Sequence, residues 1–478
     1  MRNKYLYALL LGVWLLIQGQ TLWAQLPEPE EKARILVLTD IENEPDDAQS
    51  LVRLLTYANE LEIEGLVATT SIWQQDKIAD WRIREIISAY GKVQPNLMKH
   101  ALGYPSQQYL EGKVKKGLPK FGMEGVGKGQ DSEGSDWVIE VVDQSDDRPV
   151  WITVWGGANC LAQALWKVRQ TRSPQDLQAF INKIRVYTIS DQDNSGPWIR
   201  KNFPDLFYVV SPGYHENGGE AYFYATWSGI SGEPHYGFPS GADTSIVQNP
   251  WLTQHIRTNH GPLGEEYPLV DYAMEGDTPS FLSLLNNGLN NPQHPDWGGW
   301  GGRYELYTPR TQAWFYEAET RPIWTDAIDR VKGDDGVIYA DNKATIWRWR
   351  KAYQHDFAAR MDWSNTPEFE QANHPPQPAL THEEMMTVHS GQQITLDASP
   401  TTDPDNDAIN FEWFWYPEAG TYLGNFVLKE ASQQQITFET PKVALPKTMH
   451  LILTVEDEGT PSLTRYQRVI LNILPSEE

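Results

Sequence analysis

Residues 34–39, Arg-Ile-Leu-Val-Leu-Thr, form an unbroken apolar run that stops at Asp40. Continuous rather than alternating apolarity suits a parallel strand covered on both faces. The next segment is the reverse in character: Asp40, Glu42, Glu44, Asp46 and Asp47 place five acidic residues within eight positions. Helical spacing then begins, at 48–57 (AQSLVRLLTY). Like charges crowded between a buried strand and a helix repel one another. A folded chain keeps them only if they face open water or if something neutralises them. A solvated acidic turn capping the helix is one reading, since Asp46 and Asp47 suit a helix N-terminus. A hard-cation site is the other, because calcium takes about six to eight oxygens, several of them from carboxylates.

The same strand–helix alternation continues. Strands are predicted at 62–69, 148–155 and 183–189, and helices at 76–90 and 159–168. Alternation at this spacing indicates an α/β domain with a mostly parallel sheet flanked by helices. The Gly-, Tyr- and Trp-rich stretch 205–246 reads as long surface connections. Loops near strand ends are where such folds place their sites.

The pattern changes after residue 365. Three prolines in 373–379 mark a linker, and beyond it lie short β-prone runs at 392–397, 409–415, 434–439, 449–456 and 464–474. These indicate an immunoglobulin-like β-sandwich. The expected division is a leader at 1–25, an α/β domain at 30–372, a linker at 373–380 and a β-sandwich at 381–478. A second acidic turn, Asp403, Asp405 and Asp407, lacks the glutamate and helical flanks of an EF-hand and reads as an exposed β-turn.

The leader has Arg2 and Lys4, an apolar run from Leu6 to Ile17 and a polar stretch ending at Ala24. That is the layout of a secretory signal, and the run is shorter than the ~20 residues a membrane span needs. A periplasmic or extracellular protein without stable membrane insertion is expected. One cysteine, Cys160, excludes an internal disulfide and a Cys-based metal site. A net charge of −25 with no long basic run argues against nucleic acid as a partner. Self-association is left open. The 20 Trp and 22 Tyr suit either a large core or surfaces that stack on sugars.

Strand, Asp40, short loop, Asp46-Asp47-Ala48 and helix resemble the opening of the nucleoside hydrolases, which share an aspartate cluster around calcium. Glu44-Pro-Asp-Asp-Ala-Gln-Ser-Leu-Val-Arg, Phe203-Pro204 before Leu206-Phe, Thr226-Trp-Ser-Gly-Ile and Glu275-Gly-Asp-Thr-Pro-Ser-Phe-Leu extend the resemblance to the cellulose-binding, Sde182-like group of nucleoside-hydrolase-like proteins. Those carry such a domain ahead of a β-rich C-terminal domain, so the resemblance covers essentially the whole mature chain.

The resemblance implies Ca²⁺ as cofactor, with Asp40, Asp47, Asp277 and a backbone carbonyl (Trp155 is the nearest candidate) as ligands. It implies Asp46 as the base that activates water. It places Asn159, which follows Trp155-Gly-Gly-Ala, and His215, Glu216 and Asn217 at sugar hydroxyls. Five residues separate Asp40 from the Asp-Asp pair where the hydrolases have three, and Gly276 replaces the histidine that precedes the distant aspartate there. Loss of that histidine counts against a nucleobase leaving group.

Hydrolysis at an anomeric carbon needs a carboxylate to activate water and an acid for the leaving oxygen. Glu44, Glu216, Glu220 and His235 are candidate acids, with Glu44 taken alongside Asp46 as catalytic. Trp73, Trp198, Trp227, Tyr236, Trp297 and Trp300 lie in segments rich in Gly, Pro and Asn. Each is equally a core residue or a stacking surface, and Trp227 and Trp300 join His235 as substrate-binding candidates. The expected function is a secreted, calcium-dependent, inverting glycoside hydrolase acting on a plant- or alga-derived oligo- or polysaccharide. A non-catalytic carbohydrate-binding protein is the alternative, and a nucleosidase a more distant one.

Overall fold

The computed structural model describes residues 31–211, 221–309 and 319–476. The leader and the segment holding His215, Glu216, Asn217 and Glu220 lie outside the described residues. The first strand, β1 (Ala33–Thr39), is buried on both faces as its composition demands. Ile35 and Val37 enter one apolar cluster and Leu36 and Leu38 the other, so each face of the sheet has its own core. Around it stand β2 (Leu61–Ala68), β3 (Val114–Lys116), β4 (Val150–Val154), β5 (Ile184–Thr188), β6 (Phe207–Val210), β7 (Tyr304–Tyr307) and β8 (Ile323–Asp326). Their order is β3-β2-β1-β4-β5-β6-β8-β7. All neighbours run parallel except β7, an antiparallel edge strand. A separate antiparallel pair, β9 (Asp329–Lys332) and β10 (Ile338–Asp341), follows the sheet.

Strand order reverses between β1 and β4, and the crevice outside the carboxyl ends at such a switch point is where open α/β sheets bind ligands. Asp40 leaves β1 there and Trp155 leaves β4. Helix α1 (Pro45–Thr56) starts with proline at its first position and buries Leu51, Leu54 and Leu55. Helix α2 (Asp80–His100) runs ten residues beyond the expected end at Tyr90. Gly91 does not break it; a β-carbon there would overlap the Gln107 side chain, so glycine serves close packing. The stretch 205–246 is not all surface: its Phe-Tyr-Val-Val run is β6, and residues 225–233 are buried.

The tail is a four-stranded sheet facing a two-stranded one. In the first, β11 (Met385–His389), β16 (Thr464–Leu474), β15 (Lys447–Asp457) and β13 (Ile409–Tyr416) are neighbours in that order; β12 (Gln393–Asp397) pairs with β14 (Gln435–Glu439). β11, unforeseen from sequence, has mostly exposed side chains and therefore little apolar signal. Alternation along β13 sends Trp413 and Trp415 into the tail's own core, while Phe414 and Tyr416 pack against the body.

That second face makes the tail part of the body's core. Tyr416 donates to Asp329 (2.6 Å), and Arg468 donates to the carbonyls of Leu289 (2.9 Å) and Gly298 (2.9 Å). The linker is equally engaged: Asn373 and His374 are buried and hydrogen-bonded to tail carboxylates. Among the described residues no helix is long and apolar enough to cross a membrane.

Candidate metal centre

Four aspartates converge at the switch point, each brought by a different local device. Asp40 follows β1 directly, and its carbonyl accepts from the Asn43 N–H (3.1 Å) and the Gln74 amide (3.1 Å), which curls the acidic loop back on the strand end. Pro45 then fixes the start of α1, so Asp46 and Asp47 occupy its first turn, where the positive end of the helix favours them. Asp277 comes from a distant loop that α1 itself anchors. Arg53 pairs with the Glu275 carboxylate (2.5 Å), the Gln49 side chain accepts from the Glu275 N–H (3.0 Å), and Thr278 donates to Ser50 (3.1 Å).

Asp46, Asp47 and Asp277 each offer an oxygen within 4.8 Å of the other two. Asp40, Asp47 and Asp277 are buried, whereas Asp46 is half-buried and reachable from the pocket above. Asp40 belongs electrostatically to the same group. Burial first, then the charges of Glu44 and Asp193, push its carboxyl up to about 7. Burial and the charges of Glu44 and Asp40 push Asp46 up to about 8. Asp47 and Asp277 are also driven well above the usual carboxylate range, by burial and then by the other aspartates.

The donor set fits a hard divalent cation. Asp40 Oδ2 and Asp277 Oδ2 are inaccessible to solvent and have no hydrogen-bond partner, the costly state for a buried carboxylate. The neutral hydroxyl donors beside them are Thr39, on Asp47, and Ser71, on Asp40. Trp155-Gly-Gly is shaped around these acids: a β-carbon on Gly156 would stand 2.5 Å from Asp40 Oδ1, and one on Gly157 would overlap Asp193. The Trp155 carbonyl lies on the same side and accepts from the Gln192 amide.

Above the acids is a pocket of about 170 Å³. Glu44, Trp227, His235 and Tyr236 line it. Trp73 (47% exposed) and Tyr272 (48%) open onto solvent at its rim, with Tyr222 behind Trp73. Tyr222 accepts from the Trp73 indole (3.1 Å), and the Trp227 indole donates to Ser190 (2.9 Å), which fixes both rings. Glu44 is half-buried, and burial together with the charge of Asp271 raises its carboxyl.

The expectations for Trp300 and Asn159 need correction. Trp300 is 1% exposed and its indole donates to Tyr466 (3.2 Å), so it holds body to tail instead of lining a sugar subsite. Asn159 is buried outside the pocket lining, its amide donating to the Lys120 carbonyl (2.8 Å) and to Thr70 (3.1 Å). Glu42 turns away and pairs with Arg82 (3.1 Å). Cys160 is a buried thiol that burial pushes up to about 12, the inert case.

Gln192 and Asp193 were missed. They follow β5 at its carboxyl end; Gln192 lines the pocket, and burial pushes Asp193 up to about 6. The strand-end rule would have found them in the run Asp191-Gln-Asp193.

Comparison with known proteins agrees with this fold. Residues 34–304 match the family described as cellulose-binding Sde182, nucleoside hydrolase-like domain, and residues 393–473 match the cellulose-binding protein Sde0182 C-terminal domain. A nucleoside hydrolase-related protein from Saccharophagus degradans, described as associated with carbohydrate metabolism, is 37% identical. The match covers 93% of this chain and 100% of that one, with a TM-score of 0.78. The effector protein XOO4466 is 12% identical, covering 71% of this chain and 95% of its own at a TM-score of 0.32, too low to carry structural argument. No curated protein matches the chain.

Proposed function

The chain belongs to the cellulose-binding Sde182 family of nucleoside-hydrolase-like proteins, and from that premise we propose that its pocket binds a saccharide over a calcium ion. One observation carries the reading: buried carboxylates with unpartnered oxygens form the floor of a pocket whose rim is exposed aromatic rings. Asp40, Asp47 and Asp277 would hold the ion, with the Trp155 carbonyl beside them and Asp46 facing it from the first turn of α1. Bound there, calcium supplies a fixed positive charge that orders vicinal sugar hydroxyls. Trp73, Tyr236 and Tyr272 offer faces on which a sugar ring stacks, and His235 and Asn43 offer polar contacts.

Glycoside hydrolysis is the second reading, favoured by the difference in exposure among the acids. All four aspartates line the pocket, but Asp46 is half-buried where Asp40, Asp47 and Asp277 are buried, and the half-buried Glu44 lines it too. Asp46 would take a proton from water attacking the anomeric carbon. Glu44, whose raised proton affinity keeps it in the acid form longer, would give a proton to the leaving oxygen as the glycosidic bond breaks. Single attack inverts the anomeric centre. A saccharide fits better than a nucleoside, since the position before Asp277 is glycine and has no base-facing side chain.

We place this activity in the periplasm or outside the cell, on plant- or alga-derived oligo- or polysaccharide, in keeping with the leader and with the family's cellulose-binding description. The test is glycan binding by the full chain with calcium and with chelator, followed by reducing-end assays on the glycans bound. Calcium-dependent binding lost in Asp277→Asn supports the reading. Equal binding in chelator, or in Asp277→Asn, overturns it.

A further inference from the structure

His100, the last residue of α2, and His374 of the linker are 3% and 4% exposed, and their rings stack with centroids 5.1 Å apart. The contact is also polar, since His100 Nδ1 lies 3.0 Å from His374 Nε2. Each ring has a fixed outer partner. His100 Nε2 lies 2.7 Å from the carbonyl of Thr366, the residue that follows the helix Arg350–Asn365. His374 Nδ1 lies 3.1 Å from each carboxylate oxygen of Asp405 in the tail, and the His374 backbone N–H donates to the same group (2.7 Å). Body, linker and tail are thus joined through two imidazoles in series. Trp363 stacks on both rings (5.6 and 5.1 Å) and Phe369 on His374 (3.6 Å).

This series of links limits how many protons it holds. A carbonyl only accepts, so His100 Nε2 carries a proton. Between the rings there is room for one more, because N–H groups on both facing nitrogens would collide. A third fits between His374 Nδ1 and Asp405. Three is one more than two neutral imidazoles carry, whereas two released imidazoles carry four in acid. Below the ordinary histidine value of 6.5 the released state therefore gains at least one proton on the linked state, and acid favours release. The neighbouring groups do not reverse this. Burial lowers His100 against the opposing pull of the Thr366 carbonyl and Glu368, and burial, then His100, hold His374 down to about 3. Burial, and the charges of Asp403, Asp407 and Asp457, push Asp405 up to about 6, so in mild acid it is a weak counter-charge for an imidazolium. Both rings line a cavity of about 480 Å³ whose other charged residues are Glu31, Lys32, Glu60, Arg360 and Arg465. Arg360 and Arg465 are committed to Asp356.

We propose that His100 and His374 form an acid-opened latch on the linker, closed while both rings are neutral and linked, and released when falling pH charges them. The 3.0 Å contact between ring nitrogens makes the device cooperative: one ring cannot take up its proton there without losing the other as a partner. Release frees the linker from Asp405 and from the stack on Trp363 and Phe369. It leaves the tail seated, because Tyr416 and Arg468 hold it to the body independently of the linker. Acid thus loosens residues 366–377 and the cavity wall they form, not the seam as a whole.

The experiment is hydrogen exchange of the full chain read by mass spectrometry at pH 7 and pH 5, corrected for intrinsic exchange at each pH. Protection of residues 366–377 is expected to fall by about tenfold or more between the two, the scale of one extra proton bound on release. Peptides from β1 and β4 should keep their protection. His100→Gln retains a donor for the Thr366 carbonyl and an acceptor for His374, but removes the second titrating ring. In that variant His374 can charge against Asp405 without losing its partner, so the linker should stay protected at pH 5. Three results overturn the proposal. They are linker protection in the wild type that is the same at both pH values, a loss shared equally by β1 and β4, and a wild-type response in His100→Gln. The first two need no variant to fold.

Discussion

Gly276 packs so tightly between Asp46 and Trp227 that a β-carbon built on it would lie 2.8 Å from Asp46 Oδ2 and 2.9 Å from the indole ring. The absence of a histidine at this position is therefore a matter of space as well as of sequence. Overfilling a packed site costs about 1–3 kcal/mol, and here Asp46 and Trp227 would absorb it. Gly276→Ala should fold, melt somewhat lower and bind saccharide more weakly, with calcium affinity also reduced. Unchanged saccharide affinity in Gly276→Ala would show that Asp46 and Trp227 do not shape the binding site.

Asp46 and Asp40 should fail differently when neutralised. Asp40 is buried with an unpartnered oxygen, whereas Asp46 is reachable from the pocket. Asp40→Asn should raise the calcium concentration needed for saccharide binding. Asp46→Asn should keep much of the calcium and saccharide affinity but, on a substrate that is cleaved, lose about 10²–10⁴ in turnover. A helix-end role for Asp46 predicts little change, since Asn is also tolerated near helix starts. Wild-type turnover in a calcium-loaded Asp46→Asn protein would reject the assignment and move attention to Glu44.

Stability in chelator should fall as pH rises. Asp40 and Asp46 are held near 7 and 8 in the fold against an ordinary value of 3.8, so between these limits the folded state binds more protons than the unfolded one. Stability contributed by such groups is full below about pH 4 and is lost as pH rises through 7 and 8. The buried histidines His374 and His450, depressed to about 3, act in the opposite sense but only below about 6.5. The window from about pH 6.5 to 8 thus isolates the acidic cluster. Melting temperature in chelator should drop across it, and the rise on adding calcium should be greater at pH 8 than at pH 6. A flat profile in chelator would mean the cluster does not titrate there.

The sheet was legible because its strands are buried on both faces, and continuous apolar runs such as 34–39 survive in sequence as an undiluted signal. The acidic cluster was legible for the opposite reason, as charge where burial was expected. Trp300 was misread because the Gly-rich run around it reads equally as an exposed loop and as a tight seam, and only the β16 partner Tyr466 distinguishes them. The packing of tail on body was hidden for the same reason. Phe414 and Tyr416 alternate with Trp413 and Trp415 at the end of β13, and an all-aromatic run of four does not reveal that its faces have different partners. Gln192 and Asp193 sit at a strand end but lack the crowding that singled out Asp40 to Asp47.

The seam between body and tail centres on Asp356, in the helix Arg350–Asn365, which accepts from Arg465 of β16 (2.5 Å), Arg360 (2.9 Å) and Tyr57 (2.8 Å). Burial alone would raise this carboxyl; the two guanidinium groups outweigh it and hold it well below the usual range. Its contribution is therefore present at neutral pH and fades only as acid protonates it, below the ordinary value near 4. Removing one partner of such a network leaves buried charge uncompensated, at a cost of about 3–5 kcal/mol. Asp356→Ala should lower the melting temperature and separate the melting of body and tail into two transitions. A fragment ending at Ala372 should fare worse, because it uncovers Trp300 and Trp349 together, and should aggregate rather than persist as a soluble α/β domain. A single transition in Asp356→Ala, shifted by no more than a surface substitution's ~0.5 kcal/mol, would show that the tail's attachment does not depend on this carboxylate.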